Sequence, residues 1–324
     1  MMPKKIVQIS LGIMLATVLL AIIAIITTSR KFPQQSQGRL VFAQTYERGV
    51  DLDKIIISSD EGEVTLLHRD NYWVVKEADY YYANIELINL LIQDLNNSTY
   101  YSRQTKSSEN TQESDIKNGV QVRTYAKGKL LDDIIVGKQA PNPNYHFIKN
   151  NNQNDIWLAE GMFELPKEFY SWIMQPISEL PPEMIEKIEV GENTFSRATP
   201  RMPFINSEQK VIQTKYFLEN ASQVFALNVH SKDNFKPTLY PNQKSIYFTT
   251  FPGLVVGYHI YSDGKEYWLN VTLKTTPLPK QFVSAYIKEN QVFYDGWYFM
   301  IPATQGKILS STFMCSTNNG RSEK

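Results

Sequence analysis

A chain of 324 residues with 33 basic and 33 acidic side chains carries a formal charge of +0, and it shows no block of like charge. It therefore lacks the basic face that a nucleic-acid partner requires. Hydrophobic residues make up 42% and charged residues 20%, which excludes a largely disordered chain and leaves length for a membrane anchor plus one large or two ordinary domains.

The first element is apolar. From Ile6 to Thr27 only Gln8, Ser10 and Thr17 interrupt the run, and no charge appears. About 22 residues rising ~1.5 Å each give roughly 33 Å of helix, enough to cross a hydrocarbon core. A cleaved secretory signal has a core of about 7 to 15 residues ahead of small residues. The run here is longer and has only Thr27 and Ser29 as a weak exit, so it predicts an uncleaved signal anchor. No cysteine lies there to carry a lipid. Lys4 and Lys5 before the span are balanced by Arg30, Lys31 and Arg39 after it, so flanking charge does not fix the orientation. Because long domains translocate largely regardless of charge, the large C-terminal part is placed outside and the short head in the cytoplasm. Residues 1–30 are thus read as cytoplasmic tail and transmembrane anchor, and 31–40, rich in Pro, Gly, Ser and Gln, as a linker.

Residues 41–190 read as a first α+β unit. "DKIIIS" and "EVTLL" are β-rich, and after "HRDN" the stretch "YWVV" closes a hairpin with Trp73 and Val75 on one side and Tyr72 and Val74 on the other. Asn84 is placed to cap a helix running to about Asn97, with Glu86 in its first turn and Ile85, Ile88, Leu91, Ile92 and Leu95 as an apolar stripe. Tyr80, Tyr81 and Tyr82 fall in the connection, where phenols pack by their rings and hydrogen-bond at their tips. Thr105–Gly119 is polar and loop-like; beyond it, one hairpin turns at Lys127 to Lys129 and another in the Asn-rich tip of "YHFIKNNNQNDIWLAE". "LPKEFYSWIMQPI" predicts a helix beginning at Pro166, with Phe169, Trp172 and Ile173 on one face.

"ELPPEMIEKIEVGENTFS" reads as a bridge to a second α+β unit, 191–314, ahead of a polar tail at 315–324. Strands are expected in "SIYFTTF", "GLVVGYHIY" and "KEYWLNVTL", with a tight turn at Asp263-Gly264. A helix presenting Phe282, Ala285 and Tyr286 follows, and then a strand over "NQVFYDGWYFMIP". "DNYWVVK" and "KEYWLNV" share a Tyr-Trp-apolar pattern, and "DIWL" and "DGWYF" repeat it more weakly; a duplication and the preference of buried strands for aromatics both account for it. The expected fold class is α+β: an N-terminal transmembrane helix, then two units of antiparallel hairpins packed with amphipathic helices.

The strand "DKIIIS", the "EVTLLHRDNYWVV" hairpin, the Ala83-Asn84 entry into "IELINLLIQDLNN", "IIVGK" before "YHFIKNNNQNDIWLA", and "PISELPPEMIEKIEV" resemble a bacterial family known as domain of unknown function 4340. "DGKEYWLNV" and "DGWYFMIP" are similar to its longer members. The resemblance implies a membrane-anchored envelope protein beside ABC-type transport or gliding-motility systems. The family has no established catalytic residues, so none carries over.

Short chemical motifs are missing. His68, His146, His230 and His259 are far apart and fall in no zinc pattern, and the 1 cysteine, Cys315, has no second thiol for a disulfide or histidine nearby to activate it. "NNNQND", Asn150 to Asp155, lacks the Gly and Glu of a calcium loop and reads as a polar hairpin tip. Asp132 and Asp133 point to opposite faces of a strand and read as rim charges. The Asn-x-Ser/Thr triplets at Asn96, Asn97, Asn220 and Asn270 read as chance in a bacterial setting. No P-loop, dinucleotide fingerprint or nucleophile elbow occurs.

No catalytic, cofactor-binding or metal-ligating residue is therefore expected, and no cofactor. The leading expectation is a non-enzymatic, single-pass protein of the bacterial inner membrane whose periplasmic region scaffolds an envelope complex, its partner an envelope protein such as an ABC-type permease. One alternative is an auxiliary that captures a lipid, glycan or peptide between the halves. Another is an envelope hydrolase, which would need a nucleophile, a base and an orienting group within hydrogen-bond reach.

Overall fold

The computed structural model describes residues 38–104, 116–153 and 155–311. The anchor, residues 31–37 of the linker, most of the polar loop after Gln104, and the tail with Cys315 lie outside the described residues. Among the described residues no helix is long and apolar enough to cross a membrane.

The chain is α+β, built mostly of antiparallel strands with few helices. In chain order come α1 (Ala43–Arg48), β1 (Leu52–Ser59), β2 (Gly62–Arg69), β3 (Tyr72–Val75), β4 (Tyr81–Tyr82), α2 (Ile85–Asn97), β5 (Thr99–Arg103), β6 (Val120–Ala126), β7 (Lys129–Gln139), β8 (Tyr145–Asn150) and β9 (Ile156–Glu160). There follow β10 (Ser178–Glu179), β11 (Ile185–Val190), β12 (Asn193–Ser196), β13 (Phe204–Ile205), β14 (Val211–Ile212), α3 (Lys215–Ser222), β15 (Gln223–Val224) and β16 (Asn228–Ser231). The last elements are β17 (Asn242–Thr250), β18 (Leu254–Ser262), β19 (Tyr267–Thr275), α4 (Gln281–Asn290), β20 (Trp297–Ile301) and α5 (Ala303–Ser310).

These elements form two compact units. The smaller comprises the described residues of Met1–Glu47, Gln93–Gly119 and Asp132–Phe163. Its strands run in the order β7-β8-β9-β5. Ile134, Val136, Ile148, Ala159 and Trp157 are buried along them, and Tyr100 meets Trp157 edge-on at 5.2 Å between ring centroids. Three residues of the expected linker are tied down here: Gly38 N–H donates to Tyr100 O, Tyr100 N–H to Arg39 O, and Leu40 bridges Thr99.

The larger unit comprises the described residues of Arg48–Ile92, Val120–Leu131 and Glu164–Lys324. Its first array runs β4-β3-β2-β1-β6. The turns are those the sequence advertises: Asp70 takes φ 54° between β2 and β3, and Lys127 and Gly128, at φ 49° and 74°, close the tight turn after β6. Val74 is buried together with Trp73 and Val75, so only Tyr72 of "YWVV" faces outward. A second sheet in the same unit runs β14-β13-β12-β11-β17-β18-β19-β20-β16, repeating the strand order of the two earlier arrays one after the other. Its opening hairpin, β11–β12, is the segment read as a bridge; Gly191 at φ 59° turns it, and Ile188 pairs with both Phe195 and Phe248.

Asn84 caps α2 as expected: its Oδ1 accepts the N–H groups of Glu86 and Leu87 at 3.0 and 3.2 Å. Within the stripe Ile88, Leu91 and Leu95 are buried, whereas Ile85 is exposed. The helix expected from Pro166 is a single 3-10 turn over Phe169–Ser171, after which Trp172 and Ile173 plunge into the core and Trp172 Nε1 donates to Pro166 O at 2.8 Å. The strand expected over "NQVFYDGWYFMIP" begins only at Trp297, because a 3-10 turn over Gln291–Phe293 and Gly296 at φ 79° precede it.

Candidate functional site

The three consecutive tyrosines part company. Asp79 and Tyr80 both take left-handed backbone, φ 54° and 65°, and this reverses the chain before β4. Tyr80 is left on the surface with the Arg69 guanidinium 3.9 Å over its ring. Tyr81 is fully buried, edge-to-face with Trp297 and Phe299 at 5.0 and 5.2 Å, and its hydroxyl donates to Phe293 O at 3.1 Å. Burial pushes its phenol well above the usual range.

Tyr82 instead lines a cleft of about 430 Å³ with Tyr72, Trp73, Ile85, Met174 and Phe293. Tyr82 meets Tyr72 at 5.1 Å and Phe293 at 4.9 Å, both edge-to-face. Burial first, and then the nearby Tyr72 phenol, push Tyr82 up. Asn71, Asn84, Glu86 and Gln175 supply the polar part of the lining. Gln175 is spent on both backbone groups of Ala226, at 2.8 and 3.1 Å. The outer edge of β4 is closed by the segment after the 3-10 turn: Met174 N–H donates to Tyr82 O and Asn84 N–H to Trp172 O.

Asp79 anchors the same region to β16. Its Oδ2 accepts Ser231 N–H at 3.0 Å and Asn234 Nδ2 at 2.7 Å, with His230 Nδ1 3.4 Å away. Burial raises this carboxyl, but the bonds from Asn234 and Ser231 and the nearness of His230 outweigh it and leave it below its ordinary value. The His230 imidazole stacks on Trp268 at 4.8 Å.

A second concavity, about 380 Å³, lies beside α4 and is lined by Leu180, Pro181, Met184, Pro252, Leu254, Phe282, Val283 and Tyr286, with Glu179 and Glu183 at its rim. The helix is rotated from the sequence expectation: Val283 is the buried residue, while Phe282 and Tyr286 are 58% and 41% exposed and Ala285 is exposed with them. The approach to α4 explains its setting. Thr276 N–H donates to Gly253 O and Lys280 N–H to Pro252 O. Gly253, at φ 95°, admits this segment because a Cβ there would lie 2.6 Å from Thr276 Oγ1 and 2.9 Å from Pro279 Cα.

The remaining candidates are dispersed. His146 is buried on β8 with Nδ1 3.1 Å from Gly161 O, and burial lowers its pKa. His68 packs against Trp73 at 5.3 Å. His259 sits between two hydroxyls on paired strands: Ser245 Oγ lies 2.9 Å from its Nδ1 and Thr272 Oγ1 lies 3.1 Å from its Nε2. Gly257 makes the room, since a Cβ would meet Thr272 Oγ1 at 2.4 Å. Burial and the Lys274 charge lower this imidazole. The chain hydroxyl–imidazole–hydroxyl can relay a proton, but a hydroxyl stands where an acyl-transfer triad places a carboxylate.

Asp132 is not a rim charge. It is buried and accepts both Thr45 N–H and Thr45 Oγ1 at 2.7 Å, while Asp133 on the opposite face accepts Asn151 Nδ2 at 3.0 Å. Of "NNNQND", Asn154 lies outside the described residues; Asn150 to Gln153 turn after β8, with Asn150 Oδ1 accepting Asn152 N–H, and Asp155 pairs with Arg103. Among the described residues no group of three or more His, Cys, Asp or Glu could hold a metal ion. Sequence reasoning missed Asp79, Met174 and Phe293, which carry no local motif and gain a role only through the tertiary fold.

Compared with known proteins, residues 73–214 match the model of the domain of unknown function DUF4340, as the sequence resemblance implies. No curated protein and no solved structure matches the chain.

Proposed function

We propose that this chain, which carries a DUF4340 domain, is a single-pass protein of the bacterial envelope whose extracytoplasmic α+β region is a non-enzymatic interaction module. The apolar run from Ile6 to Thr27 supports the anchor, and the family resemblance supports the envelope setting beside an ABC-type transporter. The observation that carries the interaction reading is the groove beside α4. Two aromatic side chains of an amphipathic helix, Phe282 and Tyr286, face solvent across from Met184 and Leu254, and an apolar concavity on a rim of carboxylates is a docking surface. Glu179 and Glu183 select a partner segment that is apolar and carries Lys or Arg.

The test is photocrosslinking from position 282 in native membranes, alongside Glu179→Lys/Glu183→Lys. A crosslinked segment that is apolar and basic, and that is lost in the charge-reversal variant, is the expected result. No stable partner at near-native expression, or a partner indifferent to both carboxylates, overturns the reading. A serine-directed fluorophosphonate is expected to leave Ser245 unlabelled, because its imidazole neighbour lacks an orienting carboxylate; labelling that His259→Gln abolishes would favour a hydrolase instead. Protease protection of the C-terminal region in sealed, right-side-out spheroplasts would reverse the proposed topology.

A further inference from the structure

We propose that the aromatic cleft at Tyr72, Tyr82 and Phe293 is a binding site for an uncharged saccharide. It lies in the larger unit, apart from the groove beside α4 and independent of any partner there.

The cleft's size, about 430 Å³, is within the ~300–1,000 Å³ of ordinary small-ligand sites. Its walls are aromatic, and the rings meet edge-to-face, at 81° for Tyr72 with Tyr82 and 83° for Tyr82 with Phe293. Each such contact uses the edge of one ring and one face of the other, and the exposed Tyr72 keeps ring surface open at the mouth. Asn84 and Gln175 are spent within the fold, but the hydroxyls of Tyr72 and Tyr82 and the side chains of Asn71 and Glu86 make no hydrogen bond or ion pair among the described residues. Tyr72 is 46% exposed at the mouth and Tyr82 is half-buried behind it.

A sugar ring matches this combination. Its C–H faces suit the exposed ring surface of Tyr72, and its belt of hydroxyls both donates and accepts, as do phenols and a carboxamide. An acyl chain would leave those polar groups desolvated and unpaired, which costs free energy. An extended peptide would need main-chain rungs on the edge of β4, and Trp172 and Met174 already occupy them. The Glu86 carboxylate accepts from hydroxyls and repels phosphate or uronate groups, so the sugar is uncharged.

The experiment uses the full chain in detergent, titrated calorimetrically with chitotriose and maltotriose, with a proline-rich peptide and a short-chain phospholipid as competitors. Saturable binding of at least one trisaccharide is expected, weakened about tenfold in Tyr72→Ala and several-fold in the near-isosteric Glu86→Gln. Both positions are at the surface, and an unchanged thermal melt separates lost binding from lost fold. No heat from either trisaccharide at millimolar concentration, or binding unaltered by both variants, overturns the proposal. Tyr72-dependent binding of the peptide or phospholipid without either sugar overturns it in favour of that ligand.

Discussion

Taken one after the other, the arrays β4-β3-β2-β1-β6 and β7-β8-β9-β5 follow the strand order of the second sheet, yet the connections differ. After β4 the chain crosses through α2, 13 residues long with Asn84 as a side-chain cap; after β14 it crosses through α3, 8 residues long with Thr214 making no such bond. The first connection returns directly to β5, whereas the second first lays β15 against β10. The difference shows that a repeated plan tolerates unequal crossovers when other contacts hold the edges. For β16 those contacts are Asp79, through Ser231, and the β20 ladder.

The contact with the largest expected effect is Tyr81. Tyr81→Ala empties a fully buried site against Trp297 and Phe299 and should cost about 3–5 kcal/mol, read as a lowered denaturation midpoint with an unchanged slope. Asp79→Ala, which strands the N–H of Ser231 and the amide of Asn234, should cost about 2 kcal/mol in the same measurement. If it costs nothing, β16 is held by its ladder alone and the comparison between the two edges fails.

Asn84→Ala should cost about 1 kcal/mol through the lost cap, seen as a lower melting temperature. Thr214→Ser at α3 should change little, since no cap is lost. The smallest effect is in pH. His146 and His259 both have folded pKa values below the ordinary value of 6.5, so the unfolded chain binds the proton more readily. Their contribution is complete above about pH 6.5 and is lost as the pH falls through the folded values. Melting temperature should therefore drop on acidification below that point, and the double His→Gln variant should flatten that slope.

Much of the fold was legible in sequence, for reasons visible at particular residues. Turns at Asp70, Lys127-Gly128 and Asp263-Gly264 announce themselves because few residue types accept left-handed backbone; Asp263 Oδ1 also accepts the N–H groups of Lys265 and Glu266 at 2.8 Å. The Asn84 cap is equally local. What escaped was direction. The period of α4 reports an apolar stripe, but the segment from Thr276 to Lys280 decides which side meets the sheet, and it buries Val283 and leaves Phe282 outside. The likeness of "DNYWVVK" to "KEYWLNV" places Trp73 on β3 and Trp268 on β19, which hold different positions in the repeated order. The weaker likeness pairs Trp157 on β9 with Trp297 on β20, which hold the same one. Three identical tyrosines reach three environments because the turn at Asp79 and Tyr80 leaves Tyr80 outside and alternation along β4 sends Tyr81 and Tyr82 to opposite faces.

The strip Trp172–Met174 has a consequence for anyone dissecting the molecule. A fragment ending at Glu160 would keep all the strands of the first two arrays but would bare the carbonyl of Tyr82 and the amide of Asn84 on a short aromatic edge. Such an edge recruits other chains. The strip acts as the selvedge of this fabric, and a cut that spares every strand could still unravel it into oligomers.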